Sequence, residues 1–101
     1  MISAVFFEKG LKRGFEISGH AGGSYGKDIV CASVSSAVIM AANTVTEILH
    51  IPAQTQQEDG LLKFAVVSDN EAAKAVLDGL KLHLTELSNQ YPKKIKVITE
   101  V

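Results

Sequence analysis

From Ile29 to Thr46 the chain carries no Lys, Arg, Asp or Glu, and that stretch constrains the fold more than any other. Val34, Ala37, Val38, Ala41, Val45, Ile48 and Leu49 recur at spacings of three and four, the repeat of one helix face. A helix is therefore predicted from Ile29 to about Leu49. Small residues such as Ala32, Ser33, Ser36 and Ala42 fill much of its remaining surface. A helix so poor in charge is expected to be covered on more than one side, either by a sheet and a second subunit or by another helix. Ser33, Ser35, Ser36, Asn43, Thr44 and Thr46 interrupt the apolar run too often for a membrane span, so protein is the expected cover.

The segments around this helix supply that cover. Ile2 to Glu8 is apolar at both alternating sets and reads as a strand with burial on both sides. Lys12 to Ser18 places Arg13, Phe15 and Ile17 on one face and polar or small residues on the other, and the Lys9-Gly10 turn joins the two strands as a hairpin. After Pro52, Gln54 to Gln57 and Leu61 to Val67 form a second hairpin around Glu58-Asp59-Gly60. Ser68 or Asp69 is expected to cap a second helix with the stripe Ala73, Val76, Leu77, Leu80, Leu84, Leu87 and Tyr91. Pro92 stops it, and Lys94 to Glu100 alternates as a closing strand. The order β-β-α-β-β-α-β predicts an α+β fold, a mostly antiparallel sheet with two covering helices. Strand order is not legible.

At 101 residues and 47% hydrophobic content, residues 1–101 make one domain with one core. Ten basic against eleven acidic residues give a net charge of −1, without the basic excess of a nucleic-acid binder. A single cysteine excludes an internal disulfide, and the start of the chain does not resemble a secretory leader, so a cytoplasmic protein without membrane attachment is expected.

The chemistry concentrates between Gly19 and Ser36. His20 closes the second strand, a glycine-rich loop follows, and Cys31 comes early in the first helix. Asp28 is a good N-cap residue, and with Asp28 as cap Cys31 is the third helical residue. A sulfur there lies among the unpaired N–H groups and positive partial charge of a helix start, which favour thiolate. Gly22, Gly23, Ser24 and Gly26 let the loop fold back and bring imidazole to thiol, the arrangement of an activated nucleophile. Ser35 shares a helix face with Cys31 one turn later. Asp28 as a cap is explained completely, and its alternative role is to orient His20. Tyr25 serves equally well as a substrate contact or as a packing anchor for the loop. His20 and Cys31 are too few for a zinc site, no phosphate-loop spacing is present, and no cofactor is expected.

The run Gly19-His20-Ala21, the loop with Tyr25-Gly26, then Asp28-Ile29-Val30-Cys31-Ala32 and Ser35, resembles the Prp family of bacterial ribosomal-processing cysteine proteases over essentially the whole chain. The resemblance implies that His20 and Cys31 form a catalytic dyad. It also implies that the substrate is ribosomal protein twenty-seven of the large subunit, shortened by removal of an N-terminal extension, and that the enzyme is a homodimer. The Gly22-Gly23 pair and the lack of an acidic residue from Ala21 to Lys27 depart from the family's usual loop. The alternative from another class is a non-catalytic, ribosome-associated module that binds a protein tail.

Overall fold

The computed structural model describes residues 1–19 and 29–100. The elements run β1 (Ile2–Lys9), β2 (Lys12–Ser18), α1 (Ile29–Asn43) with a π-helical extension (Thr44–Ile48), β3 (Gln54–Glu58), β4 (Leu61–Val67), α2 (Glu71–Gln90) and β5 (Ile95–Glu100). The predicted element order and α+β class are those observed. The five strands form one sheet in the order β3-β4-β2-β1-β5. Every neighbouring pair is antiparallel except β1 with β5.

Two tight turns set the hairpin registers. Gly10 (φ 61°) opens the two-residue loop between β1 and β2, and Gly60 (φ 74°) closes the one between β3 and β4. Both positions lie in the left-handed region that glycine tolerates best. With those registers in place, Phe6 lies opposite Phe15, and Phe15 opposite Phe64. The rings of Phe15 and Phe64 stack at 5.2 Å, and Phe6 tilts against Phe15 at 6.0 Å. Phe15 has no exposed surface. Truncating a buried aromatic of this kind to alanine costs about 3–5 kcal/mol.

The helices enter as crossovers. α1 links β2 to β3, which run parallel with β4 between them, and α2 links β4 to β5, parallel with β2 and β1 between them. Because β2 and β4 are antiparallel, right-handed connections leaving them toward opposite edges of the sheet put both helices on the same face. There Val30, Val34, Val38, Ala41 and Val45 from the first helical segment join Ala73, Leu77, Leu80 and Leu84 from α2 over Ile2, Ala4, the three phenylalanines, Val66 and Ile95. Burial on both sides of β1 is not what the fold provides. Ile2, Ala4 and Phe6 are buried under the helices, whereas Ser3, Val5 and Phe7 are only half-buried on the open face.

Two further differences from the sequence reading have local causes. The first helix widens after Asn43 because Thr44 Oγ1 and Thr46 Oγ1 donate to the carbonyls of Met40 (2.7 Å) and Ala42 (3.1 Å), competing with the ladder. Leu49 N–H then reaches back five residues to Thr44, and His50 (φ 55°) ends the helix in the left-handed region. Neither Ser68 nor Asp69 caps α2. Asn70 Oδ1 accepts from Ala73 N–H at 3.0 Å, and Ser68 Oγ accepts from Asn70 N–H, holding the cap in place. By length and composition Ile29–Ile48 could cross a membrane, although its interrupted polarity argues otherwise; here its valine stripe is the core helix against the sheet. As expected, that helix is covered on more than one side, by the sheet beneath it and by α2. Ile39, Met40 and Ile48 remain exposed, and α2 meets only one flank, across a groove between Ser33, Ala37 and Met40 and the Val76–Gly79 side of α2.

Two glycines of opposite character test this packing. A methyl on Gly14 would drive into the backbone of Phe64 and Ala65, whereas one on Gly79 in α2 meets nothing. Gly14→Ala is expected to cost about 2 kcal/mol or more by forcing β2 and β4 apart. Gly79→Ala should gain about 0.5–1 kcal/mol by helix propensity. Urea denaturation of both variants checks the pair.

Candidate active site

Cys31 is the third residue of α1 as described and is half-buried. At 100° per residue it lies beside the buried stripe of Val30, Val34 and Val38, while Ser33, Ala37 and Met40 lie on the opposite flank, toward α2. The sulfur is therefore directed toward the β4 and β3 side of the sheet, away from the second helix. Ser35 follows one turn later on that flank and is exposed. Of the predicted site residues, these two are placed by the structure. His20, Asp28 and the loop residues Gly22, Gly23, Ser24, Tyr25 and Gly26 lie outside the described residues.

The approach to His20 is nonetheless well defined. β2 ends at Ser18 beside Leu61, and Gly19 N–H donates to the carbonyl of Gly60 at 3.0 Å. Gly19 has φ 87°, and a Cβ there would collide with the carbonyl of Met1. Both the backbone conformation and the space demand glycine. The chain thus leaves the sheet for His20 from a point pinned to the β3–β4 turn and to the start of β1. The sequence marks Gly19 as a turn residue, but its anchor, Gly60, is forty-one positions away (60 − 19) and could not be found by periodicity. Among the described residues no three His, Cys, Asp or Glu side chains converge as a metal set requires.

A half-buried thiol near the start of the helix that follows β2, on the flank turned away from α2, has the placement of a cysteine hydrolase nucleophile. The family model for the cysteine protease Prp matches residues 1–96. The chain belongs to that family of ribosomal-processing cysteine proteases. Among solved structures, the Prp protease of Staphylococcus aureus in complex with a covalently linked product peptide superposes with a TM-score of 0.90 at 24% identity, covering 99% of this chain and 100% of that one. The same enzyme with a substrate peptide gives 0.81 at 23% identity, over 99% and 100% of the chains. SMU.848 from Streptococcus mutans gives 0.74 at 28% identity, over 99% and 96%. No curated protein matches the chain.

The half-buried placement of Cys31 predicts that iodoacetamide labels the folded protein once. Intact-mass analysis in native buffer checks this. A thiol that reacts only after urea unfolds the chain would contradict it.

Proposed function

We propose that the protein is a Cys-His dyad endopeptidase that removes the N-terminal extension of ribosomal protein twenty-seven of the large subunit during ribosome assembly. The observation that carries the reading is Cys31 itself, in the first turn of α1 and on the flank turned away from α2, in a chain of the Prp family. Cys31 thiolate attacks the scissile carbonyl carbon, and backbone N–H groups near the helix start stabilise the oxyanion. His20 takes the thiol proton and returns it to the departing amine, leaving the extension on sulfur as a thioester. Water, with its proton taken by His20, then hydrolyses the thioester and releases the extension with a free carboxylate. Asp28 caps α1, Ser35 lies close enough along the helix to touch the site, and Gly22, Gly23, Ser24, Tyr25 and Gly26 contact the peptide. No cofactor or metal enters these steps.

Working in the cytoplasm suits a substrate assembled there. A homodimer is consistent with the exposed Ile39, Met40 and Ile48 on the first helix and Leu82 on α2, apolar surface that a second copy would cover. The ribosomal substrate is consistent with the solved relative named as a ribosomal processing protease, bound to a substrate peptide.

Incubating the purified protein with the extended ribosomal protein and weighing the product tests the activity. Shortening at one bond is expected, abolished by Cys31→Ala and strongly reduced by His20→Ala. A tail-binding module would be indifferent to the loss of sulfur. Asp28 has its own test. As a cap, Asp28→Asn should keep stability within about 1 kcal/mol and keep turnover, while Asp28→Ala costs about 0.5–2 kcal/mol. A stable Asp28→Asn whose turnover falls roughly a hundredfold or more would instead make Asp28 the orienter of His20.

A further inference from the structure

The sheet has two edges, and they are built differently. The β5 edge carries Lys96 and is preceded by Pro92-Lys93-Lys94, the residues that discourage a further strand from pairing. The β3 edge reads Gln-Thr-Gln-Gln-Glu, with neither lysine nor proline. All five residues are exposed, and the register with β4 runs unbroken from Gln54 to Glu58, so no bulge bends this edge away. A regular edge of this kind, without lysine, proline or bulge and charged only at Glu58, is a template for an extended peptide.

Its position points to the occupant. β3 runs toward the Asp59-Gly60 turn, whose Gly60 carbonyl holds Gly19, and α1 rises from the same end of the sheet. The flank of α1 that bears Cys31 faces away from α2, toward β3. A chain laid along β3 therefore arrives at the thiol. Direction follows from chemistry, because the segment N-terminal to the cut is the part that must end at the sulfur. A segment running parallel to β3 delivers its C-terminal end there. The pairing groups can also be named. A two-residue turn closes on a hydrogen-bonded pair, here Glu58 with Leu61, and alternation then commits Gln56 and Gln54 to β4. The N–H and C=O of Thr55 and Gln57 are left pointing outward.

We propose that β3 is the substrate-recognition strand: the extended segment N-terminal to the scissile bond adds to the sheet as a sixth strand, parallel to β3, held by the backbone of Thr55 and Gln57. This rests on the protease reading given above. Recognition by backbone makes few demands on the side chains along β3, so specificity falls to the residues nearest the cut.

The test begins with wild-type cleavage of a synthetic peptide spanning the extension, then measures Thr55→Pro and Gln57→Pro, which delete outward N–H donors and leave the β4 pairing intact. A rise in KM of about tenfold with little change in kcat is expected, the size of one hydrogen bond lost from a binding site. Because a proline variant can fail to fold, the second arm alters the peptide instead. Single N-methyl groups are placed along it, and affinity for the Cys31→Ala protein is read by calorimetry. Methylation at alternate amides before the cut should weaken binding about tenfold, while the intervening amides and those beyond the cut should tolerate it. Hydrogen exchange at Thr55 and Gln57 should slow on binding. Indifference to methylation at every position, dependence confined to amides beyond the cut, or unchanged exchange in β3 each overturns the proposal. Cleavage with an unmoved KM in folded proline variants overturns the edge alone, whereas a wild-type protein that cleaves no peptide overturns the protease reading as well.

Discussion

The row of Phe6, Phe15 and Phe64 across β1, β2 and β4 is the contact on which the rest of the molecule depends. It locks three strands in one register, because a slip by a single residue would turn every ring to the open face. Once the register is set, Ile2, Ala4, Val66 and Ile95 lie on the same face, and the valine stripe of the first helix and the leucine stripe of α2 have one surface to cover. Each buried aromatic contributes about 1.5–3 kcal/mol relative to exposure, a large fraction of what a domain of this size has in hand.

That register also determines where the chemistry can sit. It brings the end of β2, the β3–β4 turn and the start of β1 to one end of the sheet, where Gly19 bonds Gly60 beneath Met1. The first helix starts at that end, so its opening turn, with Cys31, stands where the chain departs for His20. The cross-strand pair Arg13–Glu8, 3.1 Å apart, lies at the opposite end. Among the described residues α2 packs on the flank of α1 opposite the sulfur, because the two crossovers leave antiparallel strands toward opposite edges and so lie side by side on one face.

Placing a nucleophile on a helix held by an aromatic core separates rigidity from chemistry. Val30 and Val34, buried on either side of Cys31 in sequence, hold the helix face to the sheet, and Cys31 between them packs partly against the core. Such a support keeps the attacking atom in one place while the peptide is brought to it.

Sequence alone was sufficient where the signal is local. β2 and β4 come out at Lys12–Ser18 and Leu61–Val67 as expected, because a half-buried strand must alternate. Cys31 and His20 stood out because a helix start and a glycine-rich loop surround them. The same logic misplaced the α2 cap, where Ser68, Asp69 and Asn70 are all suitable and only the packed geometry selects Asn70. It also gave Ile2 to Glu8 burial on both sides, since an apolar strand does not reveal that one face of its sheet lacks a second layer. Strand order, the parallel pairing of β1 with β5, the Gly19–Gly60 bond and the exposed edge of β3 join residues far apart in the chain. They were decided only in three dimensions, because long-range pairing follows from which faces can be buried together and leaves no periodic trace in the sequence.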